Sequence, residues 1–139
     1  MIRKSPILAA MVSISAAGAA NAGSCESNLT SSGVPMMTTL SYKSYETIPG
    51  LSAGKALSNI AAALEAENAN GVRISKGAGT VDATQDTSGS GRMQTWRAVV
   101  RKSGNGVRVD LIFATQQGQL TSTSAVRPVL CRVIAAARG

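Results

Sequence analysis

Residues 92–116 read RMQTWRAVVRKSGNGVRVDLIFATQ, two runs of alternating apolar and polar residues on either side of Ser103-Gly104-Asn105-Gly106. The alternation has the two-residue period of a strand, and glycine and asparagine in the connection supply the positive φ angles a hairpin needs. Strands over Arg92–Lys102 and Val107–Gln116 are therefore expected, with Lys102 facing Val107. In that register Val100 meets Val109, Ala98 meets Leu111 and Trp96 meets Phe113, so each inward residue faces another inward residue.

The same alternation fills the opposite face with Arg97, Arg101 and Arg108, joined by Arg73 and Lys43, against only Asp82 and Asp110. Arg101 falls directly across from Arg108, a like-charge pairing that is destabilising unless Asp110, solvent or an anionic ligand intervenes. Guanidinium groups bind carboxylates and phosphates through paired hydrogen bonds, so Arg97, Arg101, Arg108 and Arg73 are the candidate binding residues. A solvated sheet face accounts for the same residues without any ligand. Val99 and Ile112 lie among these arginines, and Tyr42 and Tyr45 are placed to extend the apolar patch they form.

Working outward, Val72 and Ile74 alternate with Arg73 and Ser75, and Lys76-Gly77-Ala78-Gly79 turns the chain into a strand over Thr80–Gln85. Asp86–Gly91 is a flexible loop by composition. Thr38–Ile48 reads as a strand closed by Pro49-Gly50, its inward face ambiguous. Ser52 caps a helix whose Leu57, Ile60, Ala61 and Leu64 form one stripe, with Asn70-Gly71 as its end. Glu65 and Glu67 near the negative end of that helix are unfavourable, so packing must hold it. Ser122-Thr123-Ser124 starts a last helix with Pro128 near its first turn and Val126, Leu130, Val133, Ile134 and Ala137 on one side.

The elements run β-α-β-β-β-β-α, an α+β fold with two helices packed on one face of a mostly antiparallel sheet. Residues 38–139 form a single domain, and 23–37, rich in Ser, Asn and Gly, read as an N-terminal extension without a core. The order of Leu57–Leu64 after one strand, the meander through Phe113 and Val126–Ala137 at the end resembles the small helix-on-sheet domains of bacterial envelope proteins such as the outer-membrane assembly lipoprotein BamC. That resemblance covers roughly Thr38–Ala137, carries no motif, and implies an envelope accessory role.

Arg3 and Lys4, the apolar run Pro6–Ala20 and Ala20-Asn21-Ala22 have the form of a secretory signal peptide over residues 1–22. The run is short of the ~20 residues that span a bilayer, so a soluble exported protein without a transmembrane segment is expected, periplasmic or secreted. Cleavage after Ala22 leaves 12 basic residues against 7 acidic ones. Such an excess favours anionic partners, and export argues against nucleic acid. Cys25 and Cys131 are the only cysteines, an even count that reads as one disulfide in an oxidising compartment. Acylation of Cys25 is the rival reading; Ala22-Gly23-Ser24-Cys25 fits the lipoprotein box poorly, because Ala22 stands where a larger aliphatic residue is usual.

Histidine is absent, which removes the commonest general base, the commonest metal ligand and any Ser-His or Cys-His nucleophile. Gly50-Leu51-Ser52-Ala53-Gly54-Lys55 fails as a phosphate loop, its glycines one residue too close and Ala56 in place of a hydroxyl. Ser88–Arg92 offers a glycine-rich nest for an anion but lacks a following helix. Asp82 and Asp86 flank a loop without the glycine and terminal glutamate of a calcium site, so neither metal nor cofactor is expected. The sequence leans to a non-enzymatic binding or envelope accessory protein whose partner is an envelope protein or an anionic ligand. The alternatives are a histidine-independent hydrolase or inhibitor, with Lys55 or Lys76 as base beside a Ser or Thr, and a structural envelope component that docks by strand addition.

Overall fold

The computed structural model describes residues 24–86, 89 and 91–139; the leader and part of the Ser88–Gly91 nest lie outside them. The elements are α1 (Ser24–Asn28), β1 (Thr30–Ser32), β2 (Ser41–Ile48), α2 (Ala53–Ala66), β3 (Asn70–Ser75), β4 (Thr80–Gln85), β5 (Gln94–Ser103), β6 (Gly106–Ala114) and α3 (Thr123–Ala136). All six strands form one antiparallel sheet in the order β1-β2-β6-β5-β4-β3. The chain leaves β2, crosses the sheet through α2 to the far edge, and returns strand by strand until β6 lies beside β2. The α+β class and the helices on the sheet stand as the sequence implies.

The central hairpin has the expected register: Trp96 pairs with Phe113, Ala98 with Leu111, Val100 with Val109 and Arg101 with Arg108. Its turn is tighter than the four-residue connection suggests, since Ser103 still pairs with Gly106 and only Gly104 and Asn105 lie outside the ladder. Gly104 takes a φ of +56° and Asn105 does not take a positive φ, the combination a two-residue hairpin of type II′ uses.

Inward residues of the sheet meet the helix stripes in one core that includes Val81, Ala98, Val109 and Leu111 from the strands, Leu57, Ile60 and Leu64 from α2, and Leu130, Val133 and Ile134 from α3. α2 lies over β3, β4 and β5, α3 lies over β6 and β2, and the two helices touch. Ser52 and Ser122 cap them, each side-chain oxygen accepting from a backbone N–H three residues on. Pro128 sits in the second turn of α3 rather than the first, and having no N–H it leaves the Ser124 carbonyl without its helical donor.

α2 stops earlier than Asn70-Gly71. Asn68, at φ +65°, ends it with paired bonds from the Asn68 and Ala69 N–H groups back to the Glu65 and Leu64 carbonyls. Asn70 and Gly71 belong to β3 instead, where the ladder with β4 is irregular between Asn70 and Arg73.

The segment 23–37 is not the coreless extension its composition suggests. It carries a third helix, α1, whose Cys25 is buried at 2% exposure, and a sixth strand, β1, on the outer edge of β2. The polar inward residues of β2 hold α1: Ser44 Oγ donates to the Cys25 carbonyl, and the Cys25 N–H donates to Glu46 Oε1 at 3.3 Å. Glu46 is itself buried, and its other oxygen lies 3.0 Å from Arg138 Nη2 beyond α3. The Cys25–Cys131 disulfide joins α1 to α3 across 106 residues of chain.

The two sheet edges differ. β1 is three residues long and covers β2 only at Ser41–Lys43, while Asn28 Nδ2 donates to the Tyr45 carbonyl further along the same edge. At the other edge, no strand among the described residues pairs with the outer side of β3.

Candidate functional site

Cross-strand pairing arranges the outer face in rows. Arg73, Asp82, Arg97, Ile112 and Lys43 form one row across β3, β4, β5, β6 and β2. The next contains Val99, Asp110 and Tyr45, and the third Arg101, Arg108 and Thr47. All four predicted arginines thus share one face: Arg97, Arg101 and Arg108 on the central strands, and Arg73 on the edge strand.

Their surroundings are unequal. Arg108 donates from Nε and Nη2 to both oxygens of Asp110, at 2.9 and 3.1 Å, and its guanidinium lies 3.9 Å above the Tyr45 ring. The Asp110 hydrogen bonds raise the Arg108 pKa further above its ordinary value, so its charge is permanent. Lys43 Nζ approaches the same carboxylate at 3.8 Å. Asp110 therefore neutralises the Arg108 side of the Arg101–Arg108 pair, one of the three ways in which the like charges can be tolerated. Arg97 has a loose contact with Asp82 at 3.7 Å. Arg101 is exposed, and among the described residues no carboxylate lies within ion-pair distance of it or of Arg73.

Tyr45 belongs to this face, but Tyr42 does not. Tyr42 points inward, buried, its ring centroid 6.5 Å from that of Phe113, and its hydroxyl donates to the Thr121 carbonyl. Burial raises the Tyr42 pKa, which keeps that hydroxyl a donor. Val99 and Ile112 are half-buried among the arginine stems. Lys55 and Lys76 are both exposed; Lys55 lines an open groove with Ser52 and Arg138, and neither lysine lines the cleft on the helical side of the sheet.

No motif in the sequence marks that cleft. It encloses about 450 Å³ between the Gln85 and Gln94 end of the sheet, the segment 115–121 and the start of α3. Trp96 and Phe113 form its floor, their ring centroids 4.6 Å apart, and Leu120, Val126 and Val129 its apolar sides. Polar groups along one wall are joined in series. Trp96 Nε1 donates to Gln85 Oε1 at 2.9 Å, Gln85 Nε2 donates to the Glu67 carbonyl at 2.6 Å, and the Glu67 carboxylate accepts from Arg132 Nε and Nη2. On the other wall, Gln119 Nε2 donates to the Arg92 carbonyl and Arg92 Nη2 donates to the Gln117 carbonyl.

The Arg132 hydrogen bonds hold Glu67 below the ordinary glutamate pKa, against a smaller opposing effect of burial. A depressed folded-state pKa means that the unfolded chain binds the proton more readily, so the pair contributes stability above the ordinary value of about 4.3. That contribution is lost as pH falls through the folded-state value. Thermal midpoints measured from pH 6 down to pH 3 should fall more steeply for the wild-type protein than for Glu67→Gln; parallel curves would show that the pair carries no linkage.

No protein-family model matches the sequence, and a search of curated proteins finds no match. Fold and faces define the class by themselves: a disulfide-closed α+β domain with a basic sheet face on one side and a helix-walled cleft on the other.

Proposed function

We propose that the chain is an exported binding module of the bacterial cell envelope, periplasmic or secreted, that receives an anionic partner on its outer sheet face. The carrying observation is the division of labour among the arginines. Asp110 and Tyr45 fix Arg108, while Arg101 stands beside it on a rigid central hairpin with no carboxylate in reach among the described residues. A carboxylate or phosphate on the partner would offset the like charges of Arg101 and Arg108 and would gain paired hydrogen bonds from planar donors. The signal-peptide form of residues 1–22 and the disulfide support an oxidising destination. Half-buried Val99 and Ile112 add apolar contact within the basic rim, the arrangement protein interfaces use.

The test is cross-linking of the exported protein in cells, with a photoreactive residue at Thr47 beside the arginine row and with Arg97→Ala, Arg101→Ala in parallel. This pair spares Arg108, whose loss would strand the nearly buried Asp110 carboxylate. A discrete adduct that disappears in the double variant, with the thermal midpoint unchanged, is the expected result. An adduct of equal yield in both proteins, or none in either, would overturn the reading.

A further inference from the structure

The cleft on the helical side is separate from the basic face and invites a ligand of a different kind. Its volume of about 450 Å³ lies within the ~300–1,000 Å³ usual for small-molecule sites, and its floor is aromatic. Five polar side chains that line it are engaged with the protein itself, Trp96 with Gln85, Gln85 with Glu67, Glu67 with Arg132, Thr115 with Leu40, and Gln119 with the Arg92 carbonyl, and the lining Arg92 guanidinium donates to the Gln117 carbonyl. Recognition in such a space comes from apolar contact, because a polar ligand would have to displace bonds already made.

The mouth extends the apolar surface. Leu120 lines the cleft yet is 64% exposed. Met36 and Met37, both largely exposed, are tied to the same end of the molecule by the hydrogen bond from Gln117 Nε2 to the Met37 carbonyl. Unbranched methionine side chains adapt to a flexible, featureless surface better than to a shaped polar one. An occupant that is apolar along its length, fills the cleft and continues over this apron matches all of these features.

We infer that the cleft between Trp96, Phe113, Leu120 and Val129 is a binding site for the aliphatic chain of a single-chain amphiphile, with the head group in solvent beyond the apolar mouth. The reading is independent of the arginine face, which lies on the other side of the sheet.

Trp96 is the only tryptophan in the chain, so its fluorescence reports occupancy directly. The oxidised, leaderless protein is titrated with dodecanoate, with dodecyl maltoside and with hexanoate, each below its micelle concentration. Dodecanoate and dodecyl maltoside should both shift the Trp96 emission saturably, and hexanoate should not, because chain length sets binding and head charge does not. Leu120→Asp should weaken both long-chain ligands by about tenfold, roughly the contact of one leucine side chain. Ala125→Phe, at an exposed position of α3 that lines the cleft, should abolish the response by filling the space. Both substitutions sit at exposed positions, and an unchanged thermal midpoint shows that the fold is retained. No saturable shift with either long-chain ligand, an equal response to hexanoate, or full affinity in both variants would overturn the inference. Binding of dodecanoate without dodecyl maltoside would also overturn it, by moving recognition from the chain to the head.

Discussion

Cys25→Ala combined with Cys131→Ala should lower the free energy of unfolding by about 5 kcal/mol, the loop-closure contribution of a ring of this length. The bond spans 106 residues, nearly everything the structure describes, so the unfolded chain it constrains is close to the whole domain. A loss of that size is a large part of the ~5–15 kcal/mol that ordinarily separates folded from unfolded domains. A local effect accompanies the global one. α1 has only five residues, too few to persist alone, and apart from the disulfide it is held by Ser44 and Glu46 through the Cys25 backbone and by Asn28 Nδ2 on the Tyr45 carbonyl. Urea unfolding of the wild type and the double variant gives the first quantity, and amide exchange across residues 24–28 gives the second. An unchanged urea midpoint would show that the ring does not stabilise the domain.

Gly106→Ala should cost about 3 kcal/mol, at the upper end of overpacking effects. A Cβ at Gly106 would lie 2.0 Å from the Ile48 carbonyl oxygen, 2.7 Å from Pro49 Cα and 2.9 Å from the Gly50 nitrogen. All three are backbone atoms, so no side-chain rotation relieves the clash. Either the end of β2 or the start of β6 must move, and these strands are paired without a break from Ile48–Val107 to Ser41–Ala114. Gly104→Ala, two residues earlier, is the informative control. Its Cβ would point into open space, so only the φ of +56° is penalised and the loss should be about 1 kcal/mol. Equal losses at the two positions, measured by urea unfolding, would show that the close approach to β2 is relieved at little cost.

The sequence discloses the hairpin and both long helices because each has a local period. Residues 92–116 alternate around a turn whose glycines leave few geometries, and the stripes of α2 and α3 recur at helical spacing. β2 is harder to read, since its inward positions are Tyr42, Ser44, Glu46 and Ile48, and two polar residues in the middle erase the alternation. That is also why Tyr42 and Tyr45 look equivalent in sequence although the pleat sends them to opposite faces. α1 and β1 have no apolar period of their own. They exist through contacts with residues far along the chain: the disulfide, the Ser44 and Glu46 hydrogen bonds and the Thr30–Lys43 pairing.

Of the two faces, only the basic one is legible. Alternation assigns arginines to a side, and the register of one hairpin puts Arg101 opposite Arg108 without further information. The cleft is assembled from the end of α2, the ends of β4 and β5, the segment after β6 and the first turns of α3, no two of which are joined by a motif. A sign of it was present in Leu120, an aliphatic residue in an otherwise polar stretch between Thr115 and Ser122.

The unequal edges of the sheet limit what the domain can build. Sheets joined edge to edge become filaments when each copy offers two long, open strands, since every addition then exposes a new site. Here one end is reduced to the three residues of β1, with Asn28 bonded to the backbone beyond them, and only β3 presents a six-residue border. Pairing through that border can join β3 to β3 of a second copy about a two-fold axis, and the product then has the short β1 at both ends. Among the described residues, self-association by this route would therefore close at two copies, with no second border of the same length to extend it.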